Sequence, residues 1–186
     1  MKLDIKNMVS LSCKIVAKSE IEKLGLHCTR VELGEVEIAE DVSGPGYEQL
    51  KTALEKVGFE LLDDKKKILI ERIKNVIVET VYYSDERIKI KFSDYLSGKL
   101  NYSYTYLAKR FSQMQGTTIE KHIITHKIER VKELLVYDEL NLTEIAHKLH
   151  YSSVAHLSNQ FKKVTGVTPS DFKEFQQQKR VALKSA

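Results

Sequence analysis

The chain has no tryptophan, and it has only two prolines and two cysteines among its 186 residues. Two cysteines cannot build the disulfide framework of a small secreted protein, so we expect a reducing compartment, the cytoplasm. No apolar run approaches the roughly 18 residues of a membrane-spanning helix. The first residues also lack the apolar region of a signal peptide. The sequence therefore predicts a helix-rich cytoplasmic protein without membrane contact.

Patterns of catalysis are absent as well. We find no pairing of a nucleophile with a base, no phosphate-cradling glycine loop and no HExxH motif. His122 and His126 have the i, i+4 spacing of a zinc pair, but Ile123 stands where a zinc protease has its glutamate. We interpret the two histidines as surface or phosphate-facing side chains. The sequence predicts a protein that is not an enzyme and has no resident cofactor.

The net charge of +4 is unevenly distributed along the chain. Residues 1–62 carry 8 Lys and Arg against 11 Asp and Glu, whereas residues 88–186 carry 16 against 9. Such asymmetry is typical of a segment that meets a polyanion, and chance unevenness on a solvated surface is the alternative.

Residues 141–171, NLTEIAHKLHYSSVAHLSNQFKKVTGVTPSD, have the pattern of a helix, a tight turn and a second helix. Asn141 and Glu144 have capping-box spacing, Ser153 is a natural N-cap for the second helix, and Gly166 ends it. Three apolar residues of the second helix recur at i, i+4 and i+7 and are predicted to face inward: Leu157, Phe161 and Val164.

The opposite face of this second helix is small, polar and basic. At about 100° per residue from Leu157, four residues point away from the apolar side: Ala155, Ser158, Asn159 and Lys162. In a helix-turn-helix the second helix lies in the DNA major groove, where Asn can form two hydrogen bonds to adenine. The alternative is an ordinary surface helix of a helical bundle.

A weaker copy of this pattern lies 49 to 50 residues upstream. Leu100-Asn101-Tyr102-Ser103 echoes Leu149-His150-Tyr151-Ser152, and Leu107, Phe111 and Gly116 echo Leu157, Phe161 and Gly166. The outward residues of its second helix are Thr105, Ala108, Lys109 and Ser112. The repeat predicts two helix-turn-helix units, at about residues 93–116 and 141–166, joined by a long helix.

The sequence around these units resembles a known family. HKIERVKELL precedes the second unit, Phe161-Lys162-Lys163 lies in it, and GVTPSDFK follows it. With these features, residues 65–175 resemble the DNA-binding domain of the AraC/XylS family of bacterial transcription regulators. The resemblance implies an all-α domain with tandem helix-turn-helix units, with double-stranded DNA and RNA polymerase as partners.

The resemblance also implies which residues contact DNA. The base-contacting positions carry over to Thr105, Ala108, Lys109, Val154, Ala155, His156, Ser158 and Asn159. We expect four cationic residues to contact phosphates: Lys127, Arg130, Lys162 and Lys163. The family often has a basic residue at the position of Asn159, and it usually has glycine where this chain has Asn101 and His150.

Residues 1–62 alternate between strand and helix periods in the order βαββαβ, which predicts a ferredoxin-like domain. Ile5-Lys6-Asn7-Met8 and the LEKVGF segment make it similar to heavy-metal-associated domains, which bind metal through Met-x-Cys-x-x-Cys. Ser10 replaces the first cysteine here, which leaves Cys13 and Met8 as candidate ligands for a soft metal. We therefore expect an interaction, homodimerisation or sensing module.

Together these patterns predict an α+β protein. A ferredoxin-like domain of residues 1–62 precedes an AraC-type DNA-binding domain of residues 63–186, and the chain is predicted to be a sequence-specific transcriptional regulator. The alternative is a metal carrier or protein-interaction protein whose helical domain does not bind DNA.

Overall fold

The computed structural model describes residues 1–84, 90–137 and 140–184, with side chains described as far as residue 178. The chain divides into two compact units. The sheet-containing unit combines Met1–Glu79 with Ile90–Gly116, and the C-terminal unit runs from Thr117 onward together with the segment that begins at Thr80. The predicted domain boundary between residues 62 and 63 stays a prediction.

The sheet has four antiparallel strands: β1 (Lys2–Lys6), β2 (Cys28–Glu32), β3 (Glu35–Ile38) and β4 (Glu60–Leu61). Their order is β2-β3-β1-β4, and β1 pairs with β3 on one side and with β4 on the other. Helices α1 (Leu11–Glu22) and α2 (Pro45–Lys56) connect the strands as the βαββαβ pattern requires. The predicted split arrangement of the N-terminal domain is therefore confirmed.

The core of this domain lies between the sheet and the two helices. Alternate residues of the strands, such as Leu3 and Ile5, are buried together with Ala17 and Ile21 of α1 and Leu54 of α2. The period of two in the strands and of about 3.6 in the helices bring these apolar side chains to one layer.

Helix α3 (Lys65–Val78) packs against the sheet within the same unit. Arg72 donates from Nε and Nη2 to Asp4 Oδ1 of β1 at 3.0 and 2.8 Å. Asn75 is buried beside Gly34, the turn residue between β2 and β3. A π-helical turn (Glu79–Tyr83) follows, although the apolar residues of 65–83 have the period of one regular helix. A π turn inserts a residue into the helix, and an apolar pattern of period 3.6 does not reveal it.

The first helix-turn-helix consists of α4 (Phe92–Leu100) and α5 (Tyr104–Gln115) and belongs to the sheet-containing unit. Leu96 of α4 and Leu107 and Phe111 of α5 are fully buried. Both helices contact α3, so α3 supports the sheet on one side and this helix pair on another.

The C-terminal unit contains α6 (Ile119–Tyr137), α7 (Leu142–Lys148), α8 (Val154–Thr165) and α9 (Pro169–Lys184). Leu157 and Phe161 of α8 are fully buried, as predicted, in a core with residues of α6 and α7. The inward position predicted for Val164 is wrong, since its side chain is 46% exposed. Phe172 of α9 packs edge-to-face on Phe161, with ring centroids 5.6 Å apart, and covers the end of the core instead.

Candidate nucleic-acid interface

The second helix-turn-helix begins with a complete capping box. Asn141 Oδ1 accepts from the Thr143 and Glu144 amides at 2.9 and 3.0 Å, and Glu144 Oε2 accepts from the Asn141 amide at 2.7 Å. These bonds satisfy amides that the first turn of α7 would otherwise leave unpaired. The start of the helix is therefore fixed by the residues that the sequence indicated.

The turn between α7 and α8 is a left-handed reversal at His150, whose φ is 57°. The Tyr151 amide donates to the Ala146 carbonyl at 2.8 Å, and the His150 amide donates to the His147 carbonyl at 3.0 Å. This is the Schellman pattern, which normally favours glycine at the left-handed position. Ser153 then caps α8, since its Oγ accepts from the His156 amide at 3.1 Å.

The outward face of α8 is the one that the sequence predicted. Ala155, His156 and Asn159 are exposed, and Val154 and Ser158 are half-buried at its margins. The carboxamide of Asn159 makes no hydrogen bond to any described residue, so its donor and acceptor are available to a base edge.

His156 is held in place by neighbours in the turn. Its Nδ1 lies 3.0 Å from Ser152 Oγ, and its ring packs edge-on against Tyr151 with centroids 5.3 Å apart. These contacts restrict the ring to one orientation, which pre-organises it for a directional contact.

Two of the predicted phosphate contacts have partners inside the protein. Lys127 Nζ donates to the Leu149 carbonyl at the end of α7 at 2.8 Å and lies 5.1 Å from the centroid of the Tyr151 ring. Arg130 donates from Nη1 to Glu133 at 2.7 Å, and its guanidinium lies 5.5 Å from the centroid of the Tyr82 ring. Lys127 caps a helix C-terminus, where a cation stabilises unpaired carbonyls.

The other two predicted phosphate contacts are exposed. Lys162 and Lys163 lie in the last turns of α8, and their ammonium groups make no ion pair or hydrogen bond within the described part of the chain. Gly166 ends the helix with a φ of 85°. The DNA-contacting roles of all four cations stay predictions.

The first helix-turn-helix repeats the left-handed turn residue and the serine cap of the second. Asn101 takes the left-handed position with a φ of 58°, and Ser103 Oγ accepts from the Tyr106 amide at 3.4 Å. Thr105 and Lys109 are exposed on α5, and Ala108 is half-buried between them. The structure therefore brings the three predicted base-contacting residues of this unit onto one outward face.

Three further residues on α5 and its preceding turn were not identified from the sequence. The rings of Tyr102 and Tyr106 stack with centroids 5.3 Å apart and planes 20° from parallel, and the Arg110 guanidinium lies 5.3 Å from the Tyr106 centroid. The spacing of four residues between each pair is the signal that could have revealed them, because such residues meet on a helix surface. We call Tyr102, Tyr106 and Arg110 the Tyr–Arg ladder.

The candidate metal ligands lie in the loop after β1 and in the first turn of α1. Met8 is completely buried in the domain core, and Cys13 Sγ lies 3.2 Å from Ser10 Oγ at the start of α1. Partial burial raises the pKa of the Cys13 thiol, but hydrogen bonding with Ser10 and nearby amides brings it below its ordinary value. The described residues contain no group of three His, Cys, Asp or Glu side chains placed to hold a metal ion.

His122 and His126 lie side by side on α6, with their Nε2 atoms 3.2 Å apart. Burial lowers the pKa of His126, so its neutral form is favoured in the folded chain.

As for membranes, none of the described helices is both long and apolar enough to cross one.

Comparison with known proteins bears on the two helix pairs. Residues 96–174 match the family model of a helix-turn-helix domain. The chain also has the fold of a transcriptional regulator from Chromobacterium violaceum described as having an AraC-type DNA-binding domain, with a TM-score of 0.52, 17% identity and coverage of 59% of this chain and 93% of that one. Residues 96–174 form a helix-turn-helix domain with the fold of an AraC-type DNA-binding domain.

The sequence similarity to other proteins extends beyond this AraC-type domain. The Msm operon regulatory protein of Streptococcus mutans is 25% identical over 134 residues, which cover 70% of this chain and 46% of that protein. A helix-turn-helix-type transcriptional regulator from the cgkA 5′ region of Pseudoalteromonas carrageenovora is 30% identical over 96 residues, covering 52% and 54%. The chain thus spans about half the length of these relatives.

Proposed function

We propose that this protein is a sequence-specific DNA-binding transcriptional regulator that reads two successive segments of the major groove. The observation that carries the proposal is the repeated construction of the AraC-type domain. Each helix pair has a left-handed turn residue, a serine cap and an outward face without acidic residues on its second helix. Such a face suits the base edges and phosphates of DNA.

In this proposal the two outward faces read bases. Thr105, Ala108 and Lys109 act in the first unit, and the second unit uses Val154, Ala155, His156, Ser158 and Asn159. Lys162 and Lys163 contact phosphates. Lys127 and Arg130 are proposed as phosphate contacts too, and their cationic groups also hold the α7 terminus, the Tyr151 ring and the Tyr82 ring.

The N-terminal sheet domain and the partners beyond DNA belong to the proposal as well. Residues 1–62 form an interaction or sensing module, through which two copies of the chain can associate, and residues 63–186 form the DNA-binding part. A regulator of this kind acts on RNA polymerase. The relatives support this reading, because the Msm protein is named as an operon regulator.

The proposal is tested by selecting binding sites from a random duplex library with the full chain. Asn159→Ala should relax the preference at one base pair, costing about 1–3 kcal/mol on the selected site and little on random DNA. Lys163→Ala should weaken binding to all sequences alike and make the salt dependence less steep by about one phosphate. Lys56→Ala, which removes an exposed lysine on α2, is the matched control.

Three outcomes would contradict the proposal. If the full chain selects no sequence, it is not a sequence-specific DNA-binding protein. Equal losses on selected and random DNA for Asn159→Ala would remove its base-reading role. Footprinting on the selected site should show an asymmetric protected region, because the two outward faces differ in sequence, and a strict palindrome that requires two chains would refute tandem reading.

A further inference from the structure

The Tyr–Arg ladder lies beside the outward face of α5. Tyr106 and Arg110 each follow a predicted base-contacting residue, Thr105 and Lys109, so each lies about 100° further around the helix. Tyr102 in the turn before α5 and Tyr106 in its first turn are 49% and 40% exposed, so both rings face solvent.

The polar groups of the ladder have no partner of their own. The hydroxyls of Tyr102 and Tyr106 and the guanidinium of Arg110 make no hydrogen bond or ion pair to any described residue. Stacking and the cation–π contact nevertheless hold the three side chains in one orientation. The helix that carries Tyr106 and Arg110, Tyr104–Gln115, contains no acidic residue.

In the second helix-turn-helix, the side chains at the corresponding positions have partners inside the protein. Tyr151, His156 and Gln160 occupy the places of Tyr102, Tyr106 and Arg110. There the Tyr151 hydroxyl donates to Gln160 Oε1 at 2.7 Å, and Lys127 lies over the Tyr151 ring. Gln160 has a neutral amide in place of the Arg110 guanidinium, and the oxygen of this amide accepts the hydrogen bond from Tyr151. The Tyr hydroxyl of this flank is therefore bonded inside the protein in the second unit, whereas the Tyr hydroxyls and the guanidinium of the first unit are not bonded to any described residue.

The flank of a reading helix faces the sugar–phosphate wall of the groove. A helix with its side chains is about 10–12 Å across and the major groove is about 12 Å wide, so side chains on the flanks of the reading face come close to phosphates. Arg binds phosphate through a planar fork of donors, and Tyr hydroxyls are common phosphate donors. Where the second unit has Lys162 and Lys163, the first has Ser112 and Gln113, so its cation has to come from elsewhere.

We propose that the Tyr–Arg ladder is a phosphate clamp that anchors the first helix-turn-helix to the DNA backbone. Arg110 and the Tyr106 hydroxyl bind one phosphate, and Tyr102 holds the Tyr106 ring in place by stacking. The inference rests on the proposed function. The clamp adds a contact with the DNA sugar–phosphate backbone that positions the first unit. The second unit has no such contact at the same positions.

The test is fluorescence anisotropy of the full chain on one duplex of fixed random sequence, with the dissociation constant measured across a range of salt concentrations. Arg110→Ala should weaken binding roughly tenfold and reduce the slope of log affinity against log salt by about 0.9. Tyr106→Phe should weaken binding roughly two- to tenfold without changing the slope, since it removes a neutral donor. Arg110→Lys keeps the charge and should keep the slope.

Controls separate the clamp from folding and from the proposed function. Gln160→Ala, the matched position in the second unit, and Lys56→Ala should leave the slope unchanged. Far-UV circular dichroism of each variant shows whether the fold is retained. A slope for folded Arg110→Ala equal to that of Lys56→Ala would overturn the clamp, whereas a parent chain that binds no duplex at any salt concentration would refute the proposed function itself.

Discussion

Replacing Gly34 by alanine tests how α3 is held against the sheet. Gly34 connects β2 to β3 with a φ of 77°, and Asn75 of α3 lies directly over it. A Cβ placed on Gly34 would lie 1.8 Å from Asn75 Nδ2 and 3.3 Å from the Ile5 carbonyl oxygen. Neither the backbone angle nor the space suits an L side chain, so α3 or the hairpin has to shift.

The two causes can be given separate magnitudes. A left-handed backbone costs an alanine about 1–2 kcal/mol relative to glycine. Inserting a methyl group into a filled site costs a further 1–3 kcal/mol or so, because the neighbours leave their preferred positions. Gly34→Ala should therefore lower the free energy of unfolding by about 2–5 kcal/mol.

Gly25→Ala is the matched control for the backbone term. Gly25 has nearly the same φ, 78°, but nothing lies within 4 Å of its added Cβ. It should cost about 1–2 kcal/mol in urea unfolding followed by far-UV circular dichroism, a probe that suits a chain without tryptophan. In an Asn75→Ala background the excess loss of Gly34→Ala over Gly25→Ala should disappear. Equal losses for the two glycine variants in the parent chain would refute the packing of α3 on the hairpin.

Three further predictions concern the turn, protonation and metal. His150→Asn should raise the free energy of unfolding by about 0.5–1 kcal/mol in urea titrations, because Asn tolerates the left-handed turn better, and Asn101→His should lower it by a similar amount. Burial lowers the pKa of His126 below its ordinary 6.5, so its contribution to stability is present above pH 6.5 and is lost as pH falls through the folded pKa. His126→Gln should make this loss of stability at low pH smaller, and the free energy of unfolding measured at a series of pH values checks it. His27 has the opposite sign, since hydrogen bonding with Glu40 raises its pKa, and its contribution is lost as pH rises through the folded pKa. Cys13→Ser should leave DNA affinity with and without copper unchanged, and a tight copper complex in the parent chain that the substitution abolishes would instead establish a metal site.

Much of the AraC-type domain could be predicted because its signals are local. Ser153 and the Asn141–Glu144 capping box act within one helical turn, and the period of Leu157 and Phe161 identifies the buried side of α8. Once that side is known, the outward face follows from helix geometry alone. The repeat then transfers the same interpretation to the first unit, where the left-handed residue is Asn101.

What the sequence did not reveal depends on partners that are distant in the chain. Lys127, whose predicted phosphate contact stays a prediction, also donates to a carbonyl 22 residues later, at Leu149, and the sequence did not indicate that bond. Arg130 lies over Tyr82, whose position follows from a π turn that the apolar period does not show. A cation on a helix surface has the same local pattern whether it faces solvent or a neighbouring ring, so only the tertiary structure distinguishes the two.

Helix α3 also explains why the first helix-turn-helix and the sheet belong to one compact unit. One side of α3 is fixed to the sheet through Arg72 and Asp4 and through Asn75 and Gly34. The residue that follows α3, Glu79, pairs with Lys99 of α4, and α5 packs against α3 directly. A chain cut before Lys65 would leave the sheet-facing side of α3 uncovered, and buried residues such as Ile73 and Ile77 depend on that packing. The orientation of α5, and with it Thr105, Lys109 and the Tyr–Arg ladder, is thus set by a helix that the N-terminal sheet holds in place. The proposed DNA binding therefore has to be measured on the full chain.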